Sequence, residues 1–354
     1  MNRSAEGVPL VRADLTVDDD CAVRGQLRRN PFQDDALLAR WEAVWEAMWQ
    51  RTAVAFAEPV ELLQSLGSVL GWQTGAQVGV DPLVDPVWTE ALAALWLHPA
   101  WRDVEPCTGQ GRGEFAGESA GTGSVRAGFC QHPYGLPTPR PGNAVPFWLE
   151  DLSAVIRPLP DCGWGDVQVC FFGGNRLVAA GGSALLLTRD ESLGRELCRL
   201  RRHPPAALAC ALGLSQWHSL AGRLARRQEL AERYRSLLHG RTAFRLPEGT
   251  TAGRVWEMFL LTMASGAAAV DLQHFLHQSR IHAASPLWFQ PTVDPAFFSR
   301  LPGWQAFRAR LLAVPLYAAL TDQTHKRIIN RINRWVGGQG RRTLSSQAEW
   351  GPST

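Results

Sequence analysis

Lysine is almost missing from this chain. Of the 36 basic side chains in its 354 residues, only Lys326 is a lysine; the rest are arginines. Chemistry that needs a lysine amine, such as imine formation with an aldehyde, has one candidate, because a guanidinium stays protonated with delocalised lone pairs. No apolar run approaches the roughly 20 residues that cross a bilayer. The opening "MNRSAEGVPLVRADLTVDDD" lacks the apolar centre of a secretory signal. No membrane association and a cytoplasmic location are therefore expected. Seven cysteines, at 21, 107, 130, 162, 170, 198 and 210, form no C-x-x-C pair. Such an odd, dispersed set reads as reduced thiols, not as a disulfide framework or a metal site. A formal charge of +3 is too small for a nucleic-acid surface, and arginines mix with acids in "LARRQELAERYRSLL", a solvated helix face.

What is present is apolar material for a large core: 45% of the residues are hydrophobic, enough for one large domain or two unequal ones. Residues 1–30 read as a polar, irregular arm. "DDALLARWEAVWEAMWQRT" places Leu37, Leu38, Trp41, Val44, Trp45 and Met48 on one helical stripe, a packing role for its tryptophans. Helices "ELLQSLGSVLGW" and "PVWTEALAALWL" alternate with strands "AQVGVD" and "AWRDVEP", the order of a parallel sheet covered on both faces. Glycine-rich "CTGQGRGEFAGESAGTGSVRAG" carries no phosphate-loop pattern and reads as a surface loop. "VRAGFCQHPYG" and "AVPFWLED" supply two further strands, and "GDVQVCFFGGNRLVAAGGSALLLTRD" a strand pair. A long helix begins after Pro204–Pro205. It leads to strands "AFRLPE" and "VWEMFLLTMA", then a helix and strand in "DLQHFLHQSRIHAAS". "PGWQAFRARLLAVPLY" and "TDQTHKRIINRINRWV" are expected as closing helices. The resulting division is an arm (1–30), a large domain (31–205), a small domain opening on the bridging helix (206–336) and a disordered tail (337–354).

The order of these elements, with several local matches, resembles the DegT/DnrJ/StrS sugar aminotransferases, a branch of the fold-type I pyridoxal phosphate (PLP) enzymes. "GLSQWHSLAGRLARRQELAERYRSLL" is similar to the family's "GLAQLEKLDEFIERRREIAEYY", and "AVPLYAALTDQTHKRIINRI" to its "SLPLYPGLTEEEIDYVIEAI". "RDVEPCT", "CQHPYG" and "WLED" resemble "VDVDPDT", "PVHLYG" and "VIED". The resemblance covers roughly residues 30–336 and implies an α/β fold of the fold-type I aminotransferase kind. That means a large αβα domain with a mainly parallel sheet and a smaller C-terminal α+β domain. It also implies amino transfer from glutamate to a nucleotide-linked keto-sugar, PLP held as a Schiff base, and an active site at a two-fold interface.

The residues that would hold PLP depart from the family pattern. That pattern is GD, eight apolar or small residues, then TK; counted from Gly165–Asp166 it puts Asn175 on the threonine and Arg176 on the lysine. Thr188–Arg189–Asp190 on the family's TND fixes the register from the other end. The phosphate-binding serine falls on Phe171, and the S-G-T turn that cradles the phosphate on Glu58–Pro59–Val60. The ring-stacking aromatic falls near Asp85. Asp151 matches the aspartate that pairs with the pyridinium nitrogen, a vestigial cofactor residue, while the family glutamine is Ala154. Expected, then, are no bound PLP and no confident catalytic residue.

Arg176, Asn175 and His132 are the candidate ligand-binding residues, for a nucleotide sugar or another anionic metabolite. His274, His277 and His282 form no H-E-x-x-H pattern and read as surface histidines; Cys170 reads as a buried thiol. Three functions stand. The first is a pseudoenzyme serving as a binding or structural subunit, a homodimer or a heterodimer with a related active aminotransferase. The second is a PLP-independent enzyme acting on a nucleotide-linked sugar in the old cleft. The third is a working sugar aminotransferase, as family membership alone would imply.

Overall fold

The computed structural model describes residues 7–117, 125–142, 145–174, 176–247, 253–286 and 299–342. Strands β1 (Thr52–Phe56), β2 (Gln77–Val80), β3 (His98–Val104), β4 (Gly111–Gly117), β5 (Ala127–Gln131), β6 (Trp148–Asp151), β7 (Val167–Phe171) and β8 (Ala184–Thr188) form one sheet. Its order is β1-β8-β7-β6-β5-β2-β3-β4. The centre, β7-β6-β5-β2-β3, is parallel, whereas β8 runs antiparallel to both β7 and β1, and β4 antiparallel to β3. β1, β2, β5, β6 and β8 are buried along almost their whole length, the near-continuous apolar pattern of strands covered on both faces. Helices α2 (Asp35–Trp49), α3 (Pro59–Val69), α4 (Pro86–Ala94) and α5 (Glu191–Leu200) supply the covers. On one face Trp41 and Trp45 of α2 are fully buried, each ring 5.2 Å from Phe172. These tryptophans are packing, as their helical spacing indicates.

Helix α6 (Ala207–Leu238) runs from the large sheet to a second unit. There β9 (Phe244–Arg245), β10 (Phe259–Met263) and β11 (Leu311–Val314) form an antiparallel sheet in the order β11-β10-β9. It packs with α7 (Gly266–Gln278), α8 (Pro302–Arg310) and α9 (Asp322–Arg342). This is the α/β fold expected from the order of elements: a mainly parallel eight-stranded sheet joined to a small antiparallel one. α6 grips both units through buried polar groups. Gln216 bonds the Ala179 N–H and C=O at 3.0 and 2.7 Å, and Arg223 donates to Leu177 O at 3.0 Å, fastening the turn after β7. One helical stretch further on, Arg227 donates to the carbonyls of Glu257 and Leu316, each at 3.0 Å, and pairs with buried Asp14 at 2.8 Å.

Several local expectations need correction. The N-terminal arm is not irregular throughout: α1 (Val17–Leu27) begins on a capping box, with Thr16 accepting from Asp19 N–H and the Asp19 carboxylate accepting from Thr16 N–H. β4 occupies part of the glycine-rich stretch read as a loop, pairing with β3. β1 follows α2 after a left-handed Gln50, and β11 stands where a helix was expected. Both are short, mainly apolar runs, whose periodicity does not separate strand from helix. α9 continues to Arg342, into the expected tail, and residues 343–354 lie outside the described residues.

His325 on α9 is buried, its ring edge-on to Tyr234 at 4.2 Å, and its Nε2 has no hydrogen-bond partner among the described residues. Burial, together with Arg233 and Arg226 and against Asp322 and Glu229, lowers its pKa from 6.5 to about 4. The unfolded chain therefore takes up this proton first as pH falls below 6.5, and stability drops until pH reaches the folded value. Between pH 7.5 and 5 this group should remove about 2 kcal/mol. Urea midpoints at both pH values should show His325→Phe losing less stability than the wild type by that amount.

Candidate functional site

A cleft of about 290 Å³ opens at the carboxyl ends of β2, β5, β6 and β7, where the small unit faces the large one. Ligands in parallel α/β sheets bind at such strand ends. Its walls come from Leu83–Pro86 before α4, Gln131–Tyr134 after β5, Asp151–Ala154 after β6, the turn after β7, and Glu257 and Met258. Close backbone approach seals one side. Gly135, at φ +80°, accepts from Val255 N–H at 2.9 Å, and a Cβ there would lie 1.8 Å from Val255 O. Only glycine suits that position. A second hollow, about 440 Å³, is a groove along the outer face of α9 lined by Lys326, Arg327 and Arg331. The lone lysine is thus exposed on a helix that does not line the cleft.

Arg176 projects into the cleft from the turn between β7 and β8. Its Nη1 donates to Glu257 Oε1 at 2.8 Å, and its Nη2 to Asp85 Oδ2. Asp85 is meanwhile the N-cap of α4, its Oδ1 accepting from Val87 N–H at 3.0 Å. The guanidinium is one-fifth exposed, at 21%, and both carboxylates less. In so screened a place charge-assisted pairs are short and strong. They also use the charge that an anionic ligand would need. Asn175 lies outside the described residues.

Asp151 ends β6 with every oxygen satisfied by protein. Oδ2 accepts from the Trp88 indole N–H at 2.9 Å; Oδ1 accepts from Ser153 N–H at 2.9 Å and from the Ser153 hydroxyl. The same hydroxyl accepts from Phe171 N–H at 2.8 Å, tying β6 to β7. Burial raises the Asp151 pKa above the ordinary carboxylate value, with the Ser153 and Trp88 bonds opposing it. Phe171 lines the cleft and folds its ring over Gly173, where a Cβ would come within 2.6 Å of it. Glu58 and Pro59 begin α3 without a side-chain cap, and neither lines the cleft.

His132 lines the cleft too, but both its nitrogens are in use. Nδ1 accepts from Thr138 N–H at 2.9 Å, so the ring proton sits on Nε2 and is donated to Glu150 at 3.1 Å. Glu150 also accepts from Gly163 N–H at 2.6 Å and Gly165 N–H at 2.8 Å. Burial pushes its pKa up, yet the bonds from His132, Gly165 and Gly163 outweigh that and leave it lowered. Cys162 Sγ lies 3.9 Å from His132 Nδ1, close enough for these three side chains to surround an ion. The donors and acceptors are already matched within the protein, however, and Cys162 is driven upward in pKa by burial and Glu150, away from the thiolate a metal needs. His132 thus links the Thr138 backbone to Glu150 through its two ring nitrogens. His274 meets Gln278, and His277 meets Ala283 O, with the His282 ring 5.4 Å away; these histidines stay apart from the cleft. Cys170 is fully buried, as expected.

Two residues of the site escape sequence reading. Trp88, three positions past Asp85 on α4, looks like one more core tryptophan until Asp151 is seen beneath its N–H. Glu257 sits just before β10 with no motif to mark it; only Arg176 gives it meaning. Trp88→Phe should leave Asp151 Oδ2 buried without a donor and cost about 1–3 kcal/mol. Urea unfolding checks this, with Trp41→Phe, whose indole N–H has no partner among the described residues, as the comparison expected to lose less.

Residues 161–333 match the sequence profile of the DegT/DnrJ/EryC1/StrS aminotransferase family. No curated protein matches the sequence. Among solved structures, the chain is similar to the aminotransferase TlmJ from Streptoalloteichus hindustanus, with 20% identity and a TM-score of 0.80, covering 94% of this chain and 100% of that one. The sugar aminotransferase CalS13 from Micromonospora echinospora follows with 18% identity, a TM-score of 0.76 and 92% and 99% coverage. Helicobacter pylori PseC, an aminotransferase involved in the biosynthesis of pseudoaminic acid, gives 14% identity, 0.79, and 94% and 100%. At such identities the likeness speaks for the fold alone. Residues 161–333 are thus similar in sequence to the DegT/DnrJ/EryC1/StrS aminotransferase family, on a fold that nearly the whole chain shares with solved aminotransferases.

Proposed function

We propose that this protein is an aminotransferase-fold pseudoenzyme that does not bind PLP covalently. It serves as a binding or structural subunit, as a homodimer or beside a related active aminotransferase. The carrying observation is Arg176 in the turn after β7, clamped by Asp85 and Glu257 in a cleft to which the chain's one lysine does not contribute. A guanidinium in that place is no nucleophile toward an aldehyde.

The remaining residues do not fit the group either. The carboxylate that would face a pyridinium nitrogen already takes the Trp88 N–H on Oδ2 and the Ser153 N–H and hydroxyl on Oδ1. Phe171 offers a ring where a phosphate needs donors, and the first residue of α3 is a proline, with no N–H. A nucleotide-linked sugar held by Arg176 is disfavoured by the same clamp, since the guanidinium's charge is spent on two carboxylates. Likeness to the family carries the competing reading, a working sugar aminotransferase.

Incubation of the purified chain with PLP separates the two. The expected result is no absorbance band near the visible edge, no pyridoxyl mass increment after borohydride, and no amino transfer. An adduct on the isolated chain, or transamination by it, overturns the proposal. Arg176→Lys restores an amine but not the other contacts, and should take up PLP no more than about tenfold better than an equimolar free amine; tight, stoichiometric uptake would mean that this arginine alone had silenced the site.

A further inference from the structure

The +3 charge of this chain is unevenly spread. Between Gln323 and Gly338, along α9, stand Lys326, Arg327, Arg331 and Arg334 and no aspartate or glutamate. Those charges exceed the net charge of the whole protein, so the rest of the molecule is net negative. Segregation of this kind makes an electrostatic surface, unlike a solvated face of mixed sign.

Helical spacing gathers the cations. Ile328, Ile329, Ile332 and Trp335 are buried and seat one side of α9 in the small unit. Gln323, Lys326, Arg327, Asn330, Arg331 and Arg334 line the groove on the other side, at the three- and four-residue steps that share a helix face. Lys326, Arg327 and Arg334 are exposed and Arg331 is half-buried. From Lys326 to Arg334 the stripe runs about 12 Å along the axis. Like charges at these spacings repel, and helix faces ordinarily relieve this with acids three or four positions away. The one acid of the first turn, Asp322, is instead taken by Arg226 and Arg233. Glu229 on α6 is held by the same two arginines. Among the described residues no carboxylate pairs with any cation of the stripe. Arg327 donates to the Ser279 carbonyl at 2.6 Å, a neutral acceptor.

Charge sets the class of partner, and the rest of the surface narrows it. The stripe holds no aromatic side chain on which a base could stack. It is one helix wide, on a molecule whose remainder repels a long polyanion. Nor does it hold an apolar side chain to enter a bilayer, and a peripheral helix needs both that and its basic residues. A protein helix fits better. Carboxylates set every third or fourth position repeat at the spacing of these cations, and guanidinium groups take carboxylates through two parallel bonds. Gln323 and Asn330 add neutral donors between the charges.

We propose that the outer face of α9 docks an acidic helix of a partner protein, its carboxylates set against Lys326, Arg331 and Arg334. The surface stands apart from the cleft, so the proposal does not depend on whether PLP binds there.

The probes are two capped, alanine-based helical peptides, one with glutamate and one with glutamine at every fourth position. A DNA duplex of about 20 base pairs and phosphatidylcholine vesicles containing phosphatidylserine represent the other polyanions. At pH 7.5 and about 0.1 M salt, fluorescence anisotropy should show the full-length protein binding the glutamate peptide about tenfold more tightly than the glutamine peptide, a preference mostly lost at about 0.5 M salt. The duplex should bind no better than the glutamate peptide, and the vesicles should not sediment the protein. Arg331→Ala/Arg334→Ala should weaken the glutamate peptide about tenfold. Arg195→Ala/Arg199→Ala removes the same charge from exposed positions on α5 and should change it less than about twofold. Circular dichroism reports whether both variants are folded. Equal binding of the two peptides, binding of no probe, a tighter duplex or vesicle binding overturns the proposal, as do equal losses in the two folded variants. The peptide pair on the unmodified protein keeps the test decisive if a variant does not fold.

Discussion

A single guanidinium held between carboxylates from distant parts of the chain organises the cleft. Arg176 comes from the turn after β7, Asp85 from the start of α4 and Glu257 from the entry to β10, so one side chain ties the large sheet, a covering helix and the small unit together. The arrangement depends on α6. Its Gln216 and Arg223 hold the backbone just beyond Arg176, while its Arg227 holds the carbonyl of Glu257. Both ends of the ion-pair cluster are thus set by buried hydrogen bonds to one helix, where loss of a partner strands a desolvated polar group.

The same constraint explains why Asp151 alone cannot identify a working cofactor site. A carboxylate at the end of a buried strand must find donors wherever it can, and here Ser153 and Trp88 supply them. An aspartate that pairs with a ring nitrogen and one that accepts from an indole look identical in sequence. What separates them is the direction of the Trp88 N–H, which depends on how α4 seats that ring against Phe129 and Asp151. His132 follows the same pattern. It lines the cleft, but Thr138 and Glu150 take both of its nitrogens, so nearness to a cavity does not make it available.

Much of the fold was legible because its signals are local and strong. The alternation of buried strands with amphipathic helices, the prolines before α6 and the strand–turn–strand pattern of Gly165–Asp190 each follow from backbone sterics and burial. β1 and β11 were not legible as strands. Five or fewer apolar residues beside a helix carry no distinguishing period, and only the neighbours Ala184–Thr188 and Phe259–Thr262, which offer them hydrogen bonds, decide the matter. The capped helix at Val17–Leu27 was hidden by its polarity, since its acidic first turn reads as a coil when the cap is not recognised.

By itself the sequence determined which side chains are on hand: one lysine in the whole chain, and at position 176 an arginine, whose guanidinium is no nucleophile toward an aldehyde, a property of residue type that folding does not alter. Tertiary structure decided what that arginine does instead. Whether a guanidinium waits for an anion or is already neutralised depends on carboxylates 91 and 81 residues away in the chain. Coulomb attraction acts through distance in space, and no local pattern records which acids the fold will bring within reach.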